Sequence, residues 1–261
     1  MSGQQTVPDH QIGAVQQLLL DGDFRQALES ARLLQQRFPE ALGPLTLAAK
    51  ASLELGQTSL ACDFARRAAQ LRPRNISVRL LYAQSLVMLG DSRRAFVLLR
   101  QVEESAASQA GALLRVARFH ERFGCTSDAY RVMLKSLEAQ PDGAAGIYRT
   151  ALLARRLGRQ REARALCRRL ISLQPDHAEA CFLRATLQPA KPGDHHLEAL
   201  GFLLEAHPGE GARRGSLCRA LGRELEDLGQ YEAAFVSYEE AARLLATADD
   251  EKFLLDHSSV Q

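Results

Sequence analysis

Apolar residues along this chain recur at helical spacing, in segments that come two by two. In the stretch from Ile76 to Leu89 they stand at Leu80, Leu81, Tyr82, Leu86 and Leu89, with small Ala83 among them. The next stretch repeats the theme with Ala95, Leu98, Leu99 and Val102. This spacing predicts amphipathic helices, since a half-buried strand would alternate with a period of two. Gly90 separates the two stretches. A residue just past a helix end often needs a left-handed backbone, which glycine reaches without steric cost. Asp91 or Ser92 is placed to cap the second helix.

The pattern has a fixed period. Gly22, Gly56, Gly90, Gly124 and Gly158 follow one another at intervals of 34 residues. Five residues after each glycine stands an alanine: Ala27, Ala61, Ala95, Ala129 and Ala163. Seven before each stands a small or compact apolar residue: Val15, Ala49, Ala83, Ala117 and Ala151. Seventeen after come Pro39, Pro73, Ala107, Pro141 and Pro175. A repeat period of about 20–50 residues points to a solenoid or array. The small residues predict close helix crossings, where overpacking costs about 1–3 kcal/mol. Proline stops the second helix, because it lacks an N–H and forces its predecessor out of helical geometry.

The units are 8–41, 42–75, 76–109, 110–143 and 144–177, after a lead at 1–7 expected to be disordered. A partial sixth unit, 178–188, keeps Cys181 and Ala185 in phase and completes an array over 8–188. Where the next glycine is due the chain reads Gln188-Pro189-Ala190-Lys191-Pro192-Gly193, which cannot continue a helix. An irregular segment, 189–214, is expected to hold one short helix from His195 to Ala206 before the turn at Pro208-Gly209. The register resumes in a final repeat over 215–248, with Gly222, Leu225, Gly229, Ala234, Tyr238 and Ala241. Residues 249–261 are expected to fray, as a tail or a broken helix.

Units of 34 residues with a small residue at position eight, alanine at twenty and proline at thirty-two resemble tetratricopeptide repeats. The family's bulky residue at position four is here Leu45, Leu113 and Ile147, while Gln11 and Arg79 depart from it. The resemblance implies an all-α, right-handed superhelical solenoid whose first helices line a concave groove. Residues 194–245 are also similar to the segment that joins such arrays to the catalytic domain of bacterial sulfotransferases. That second resemblance implies an alternative, the N-terminal arm or a degenerate relative of such an enzyme. No phosphosulfate loop is read in these residues. Its nearest look-alike, Gly211-Ala212-Arg213-Arg214-Gly215-Ser216, has no preceding strand and reads as a linker with Ser216 as N-cap.

Composition narrows the function classes. Hydrophobic residues make up 46% and charged residues 25% of the 261, as in a globular protein. A net charge of +2 gives no case for nucleic acid or for a membrane surface. Four positives are lysines (Lys50, Lys135, Lys191 and Lys252) and the rest are arginines, which suit planar contact with carboxylates, although codon bias gives the same composition. The five scattered cysteines form no disulfide framework, and the first residues, MSGQQTVPDHQIGAV, show no signal-peptide pattern. A cytoplasmic, non-catalytic protein is expected, with no cofactor and no metal.

The family's groove positions, carried onto this sequence, differ along the array. The early face is mostly neutral and apolar: Thr46, Leu47, Lys50 and Leu53, then Leu80, Leu81, Gln84, Val87 and Met88. Leu81, Gln84 and Met88 either meet an apolar partner helix or pack between repeats. The next two units carry Leu114, Arg115, Arg118, Glu121 and Arg122, then Tyr148, Arg149, Leu152, Arg155 and Arg156. Arg115, Arg118 and Arg122 share one helical face, as do Arg149 and Arg156. These arginines and Tyr148 are expected to grip an acidic peptide; the alternative is a solvated helix surface. A protein or peptide partner is therefore expected, and a homodimer is compatible with such an array. The carboxylate clamp of chaperone-binding repeats needs an asparagine in a set place, and Asn75 stands at a unit end. His195-His196 reads as a surface pair, and His120 as a packed core residue. Cys167, His177 and Cys181 lie near a unit boundary without the short spacing of a zinc site.

Overall fold

The computed structural model describes the backbone of residues 7–209 and 211–258, and side chains up to residue 246. Most of the lead at 1–7 and the last three residues of the expected tail lie outside the described residues. The chain divides into two compact units that part after Ala107. The first unit holds α1 (Asp9–Leu20), α2 (Phe24–Arg37), α3 (Leu42–Glu54), α4 (Thr58–Leu71), α5 (Ile76–Met88) and α6 (Ser92–Ser105). The second holds α7 (Ala110–Arg122), α8 (Thr126–Ala139), α9 (Ala144–Arg156), α10 (Gln160–Leu173), α11 (Ala178–Leu187), α12 (Leu197–Ala206), α13 (Ala212–Asp227) and α14 (Tyr231–Ser258). Helix α14 continues through much of the stretch expected to be a tail. The architecture is an all-α solenoid, and no β-strand occurs among the described residues beyond an isolated bridge between Lys191 and Asp194.

The periodic glycines end first helices as their spacing predicts. Gly124 has φ +75° and the other four, with Gly229, lie in the same left-handed region. In each turn the amide after the glycine bonds back to a carbonyl in the last helical turn. Asp23 reaches Leu18, Gln57 reaches Ser52, Asp91 reaches Leu86, Cys125 reaches His120, and Arg159 reaches Ala154, all at 2.8 or 2.9 Å. This bond satisfies a carbonyl that a helix end leaves without a partner. Asp91 then caps α6, its side chain accepting from the amide of Arg94 at 3.1 Å.

The small residues lie where helices cross. Ala27, Ala61, Ala95, Ala129 and Ala163 are wholly buried, and Val15, Ala49, Ala83, Ala117 and Ala151 are at most 2% exposed. Neighbours in sequence pack on one another from α1 to α6 and from α7 to α11, and first helices also meet in the pairs α1 with α3, α3 with α5 and α9 with α11. The rhythm changes after α11, which packs directly against α13, with α12 lying on α13 from the side. Cys181, Leu200, Leu217 and Ala220 join these three helices in one buried cluster. At the crossing of α13 and α14 the small residue is Gly222, where a Cβ would stand 2.9 Å from the Tyr238 ring.

Candidate functional site

Helix α7 buries Leu113, Val116, Ala117 and His120 and leaves Arg115, Arg118 and Arg122 exposed on its other side. The burial pattern follows from the 3.6-residue period, which puts positions three and four apart on one face. Helix α9 repeats the arrangement. Ile147, Thr150, Ala151 and Ala154 are buried, Tyr148 and Arg149 are half-buried, and Arg155 and Arg156 are exposed. The arginine-bearing faces of the two helices meet through an ion pair, Arg149 Nη1 to Glu121 Oε2 at 3.2 Å. Arg149 is therefore committed to Glu121, while Arg118, Arg122, Arg155 and Arg156 form no ion pair among the described residues.

The aromatic component lies at the edge of this face. Tyr148 packs on His177, with ring centroids 5.2 Å apart. His177 is held in turn, its Nδ1 accepting from the Ala180 amide at the start of α11 and lying 3.2 Å from Glu179. Burial first, and Glu179 second, push the Tyr148 phenol up, against a lowering influence of Arg155. Farther along, the Arg219 guanidinium lies 4.0 Å from the centre of the Phe182 ring. The sequence reading missed Phe182 and Arg219, because Arg219 belongs to the repeat displaced by the irregular segment. The signal available was Phe182 itself, 34 residues after Tyr148.

In the first unit the early apolar face divides. Leu81 is 9% exposed and belongs to the core cluster that includes Leu47 and Val78. That places Leu81 in the packing between helices, the second of its two expected roles. Gln84 is half-buried and Met88 is 51% exposed.

Two further expectations change. Helix α13 begins at Ala212, so Ser216 is a buried residue inside the helix and not its N-cap. Arg213 and Arg214 are both occupied by structural partners. Arg213 pairs with Asp176 at 3.1 Å, and Arg214 bonds Glu240 at 2.8 Å and the Leu204 carbonyl at 2.8 Å. His196 is not a simple surface residue, because its amide donates to Glu224 at 2.6 Å and its Nδ1 lies 3.2 Å from the same carboxylate. Cys167 and Cys181 are buried, and burial pushes the Cys167 thiol up to about 12. Among the described residues no helix is long and apolar enough to cross a membrane.

The tetratricopeptide-repeat family matches this chain over residues 145–177 and again over 216–244. No curated protein matches it in sequence. Among solved structures, the C-terminal part of a TPR repeat-containing protein from Cytophaga hutchinsonii is 14% identical. That match covers 92% of this chain and 95% of that one, with a TM-score of 0.58. MamA from Desulfovibrio magneticus RS-1 is 16% identical over 64% of this chain and 94% of that one, with a TM-score of 0.46. YrrB, described as a TPR protein with an unusual peptide-binding site, is 18% identical over 65% and 88%, with a TM-score of 0.43.

Proposed function

We propose that this chain, which is an all-α protein of tetratricopeptide repeats, is a non-catalytic interaction scaffold that holds an acidic peptide segment against α7 and α9. Stacked repeats of this kind present extended surfaces suited to partner binding. The observation that carries the choice of ligand is the set of arginines on two linked helices. Arg118, Arg122, Arg155 and Arg156 are exposed and uncommitted to any acidic side chain among the described residues, with Glu121 and Arg149 tying their helices together. Guanidinium groups form charge-assisted, two-pronged bonds with carboxylates, and four of them suit a run of aspartate or glutamate. Tyr148, fixed by His177, gives one edge of the face an apolar surface for a flanking side chain.

Exposed ion pairs contribute only about 0.2–1 kcal/mol each, so a single substitution is a weak test. The test is a double charge reversal, Arg118→Glu with Arg156→Glu, which spares the Arg149–Glu121 bond and therefore the packing. A labelled glutamate-rich peptide is expected to bind the parent and to bind this variant at least tenfold more weakly, with an unchanged melting temperature. Equal binding by both proteins would remove the proposal.

A further inference from the structure

The turn between α7 and α8 brings together an imidazole, a thiol and a carboxylate. His120, Cys125 and Asp128 bring an imidazole nitrogen, a thiol sulfur and a carboxylate oxygen within 4.8 Å of one another. The fold itself creates the meeting. The Cys125 amide bonds the His120 carbonyl at 2.8 Å, in the glycine-ended turn common to the array. That turn sets the side chains at its two ends against each other, ordinarily as an apolar contact. Asp128 is the third residue of α8, the place from which a side chain reaches back to the residue preceding the helix. Every repeat brings these three places together, yet the chemistry is peculiar to this one. The same places hold Leu86, Asp91 and Arg94 one period earlier, and Ala154, Arg159 and Glu162 one period later.

We infer that His120, Cys125 and Asp128 form a binding site for a zinc-type divalent metal ion. Imidazole with thiolate selects borderline-soft ions such as zinc and cobalt over magnesium and calcium. Bonds of about 2.0–2.3 Å in a tetrahedral centre place donor atoms about 3.3–3.6 Å apart, so a cluster within 4.8 Å tightens by about 1.2–1.5 Å at most on loading. The donors are suited to that movement. His120 is 3% exposed with both ring nitrogens shut off from solvent, and so is fixed by the core. Cys125 is half-buried and Asp128 exposed, and both are free to turn toward it. The other four cysteines, by contrast, are buried. Three protein donors leave a fourth position for water or for a donor from a partner. The ion would pin the end of α7 to the start of α8, beside the arginine-bearing face.

Cobalt titration of the full reduced chain tests the site. One equivalent is expected to bind, giving the visible bands of tetrahedral cobalt and a near-ultraviolet thiolate-to-cobalt band. Cys125→Ser is expected to abolish the thiolate band. Asp128→Asn is expected to weaken cobalt binding at least tenfold. Neither replaces a fully buried side chain, so retained helical circular dichroism shows that the fold survives. Cobalt should also protect Cys125 from alkylation. Absence of the thiolate band, its persistence in Cys125→Ser, or equal affinity in Asp128→Asn would each overturn the site.

Discussion

The turn at Gly124 and the junction at residues 188–196 both follow a first helix, and they end it by opposite means. At Gly124 the backbone does the work. A left-handed glycine lets the Cys125 amide reach the His120 carbonyl, and no side chain is needed. Helix α11 has no such glycine. Its last carbonyl, that of Leu187, accepts instead from Arg164 Nε at 3.0 Å, and the chain leaves through an extended Gln188. The segment that follows is held by carboxylates of α13. Asp227 accepts from the Ala190 amide at 3.0 Å, and Glu224 accepts from the His196 amide at 2.6 Å and pairs with Arg184 at 3.4 Å. Around Glu224 and Arg184 lies a cavity of about 150 Å³, bounded also by Arg164, Arg168 and His196. A regular turn is thus local and tolerant of its side chains, whereas the junction depends on particular polar groups far away in sequence.

The largest effect should come from the junction. Glu224 is 2% exposed, so Glu224→Ala leaves the Arg184 charge and the His196 amide without their partner. Breaking a buried pair from one side costs about 3–5 kcal/mol, and urea unfolding should show it. A loss below about 1 kcal/mol would mean that the irregular segment is held by its apolar contacts alone. Next comes the crossing of α13 and α14. Gly222→Leu should cost about 1–3 kcal/mol by forcing the helix away from Tyr238, and a melting curve unchanged from the parent would contradict that close approach.

The regular turns should respond less. At Gly124 an added Cβ meets no atom within 4 Å, so Gly124→Ala tests backbone strain alone. About 1 kcal/mol should be lost in thermal unfolding, and no loss would mean that the turn reaches its geometry without the glycine. The smallest effect is alkaline. Tyr130 donates to Glu162 and Tyr238 donates to Glu226. Burial first, and these bonds second, raise both phenols from 10.0 to about 12. The folded chain favours the neutral phenols, so their contribution is complete below a pH of about 10 and is lost as pH rises through about 12. Phenolate absorbance should show Tyr130 and Tyr238 ionising last, and titration of all five tyrosines at ordinary pH would contradict it.

This contrast also explains what the sequence could and could not convey. Glycine at a left-handed position and alanine at a crossing act through their own backbone and size, so a fixed spacing reveals them. The same holds for the exposed stripe of Arg115, Arg118 and Arg122, which needs only a helical period. Glu224 is invisible by that reasoning, since its partners lie 28 and 40 residues away and belong to no repeating pattern. Ser216 was misjudged for a related reason, because α13 starts four residues before it on Gly211 and not on a hydroxyl. The commitment of Arg149 to Glu121 is likewise a tertiary fact. The His120, Cys125 and Asp128 cluster escaped notice because its donors are five and three residues apart, a spacing that becomes meaningful only through the turn that joins them.

If the arginines of α7 and α9 recognise negative charge, binding must follow the sign of the peptide. Fluorescence anisotropy with charge-swapped peptides tests it most directly. The parent should bind a glutamate-rich peptide, weaken steadily with added salt and ignore the lysine-rich counterpart. The Arg118→Glu, Arg156→Glu variant should lose the first peptide and gain affinity for the second. Binding of the glutamate-rich peptide that is indifferent to both the reversal and the salt would contradict the claim.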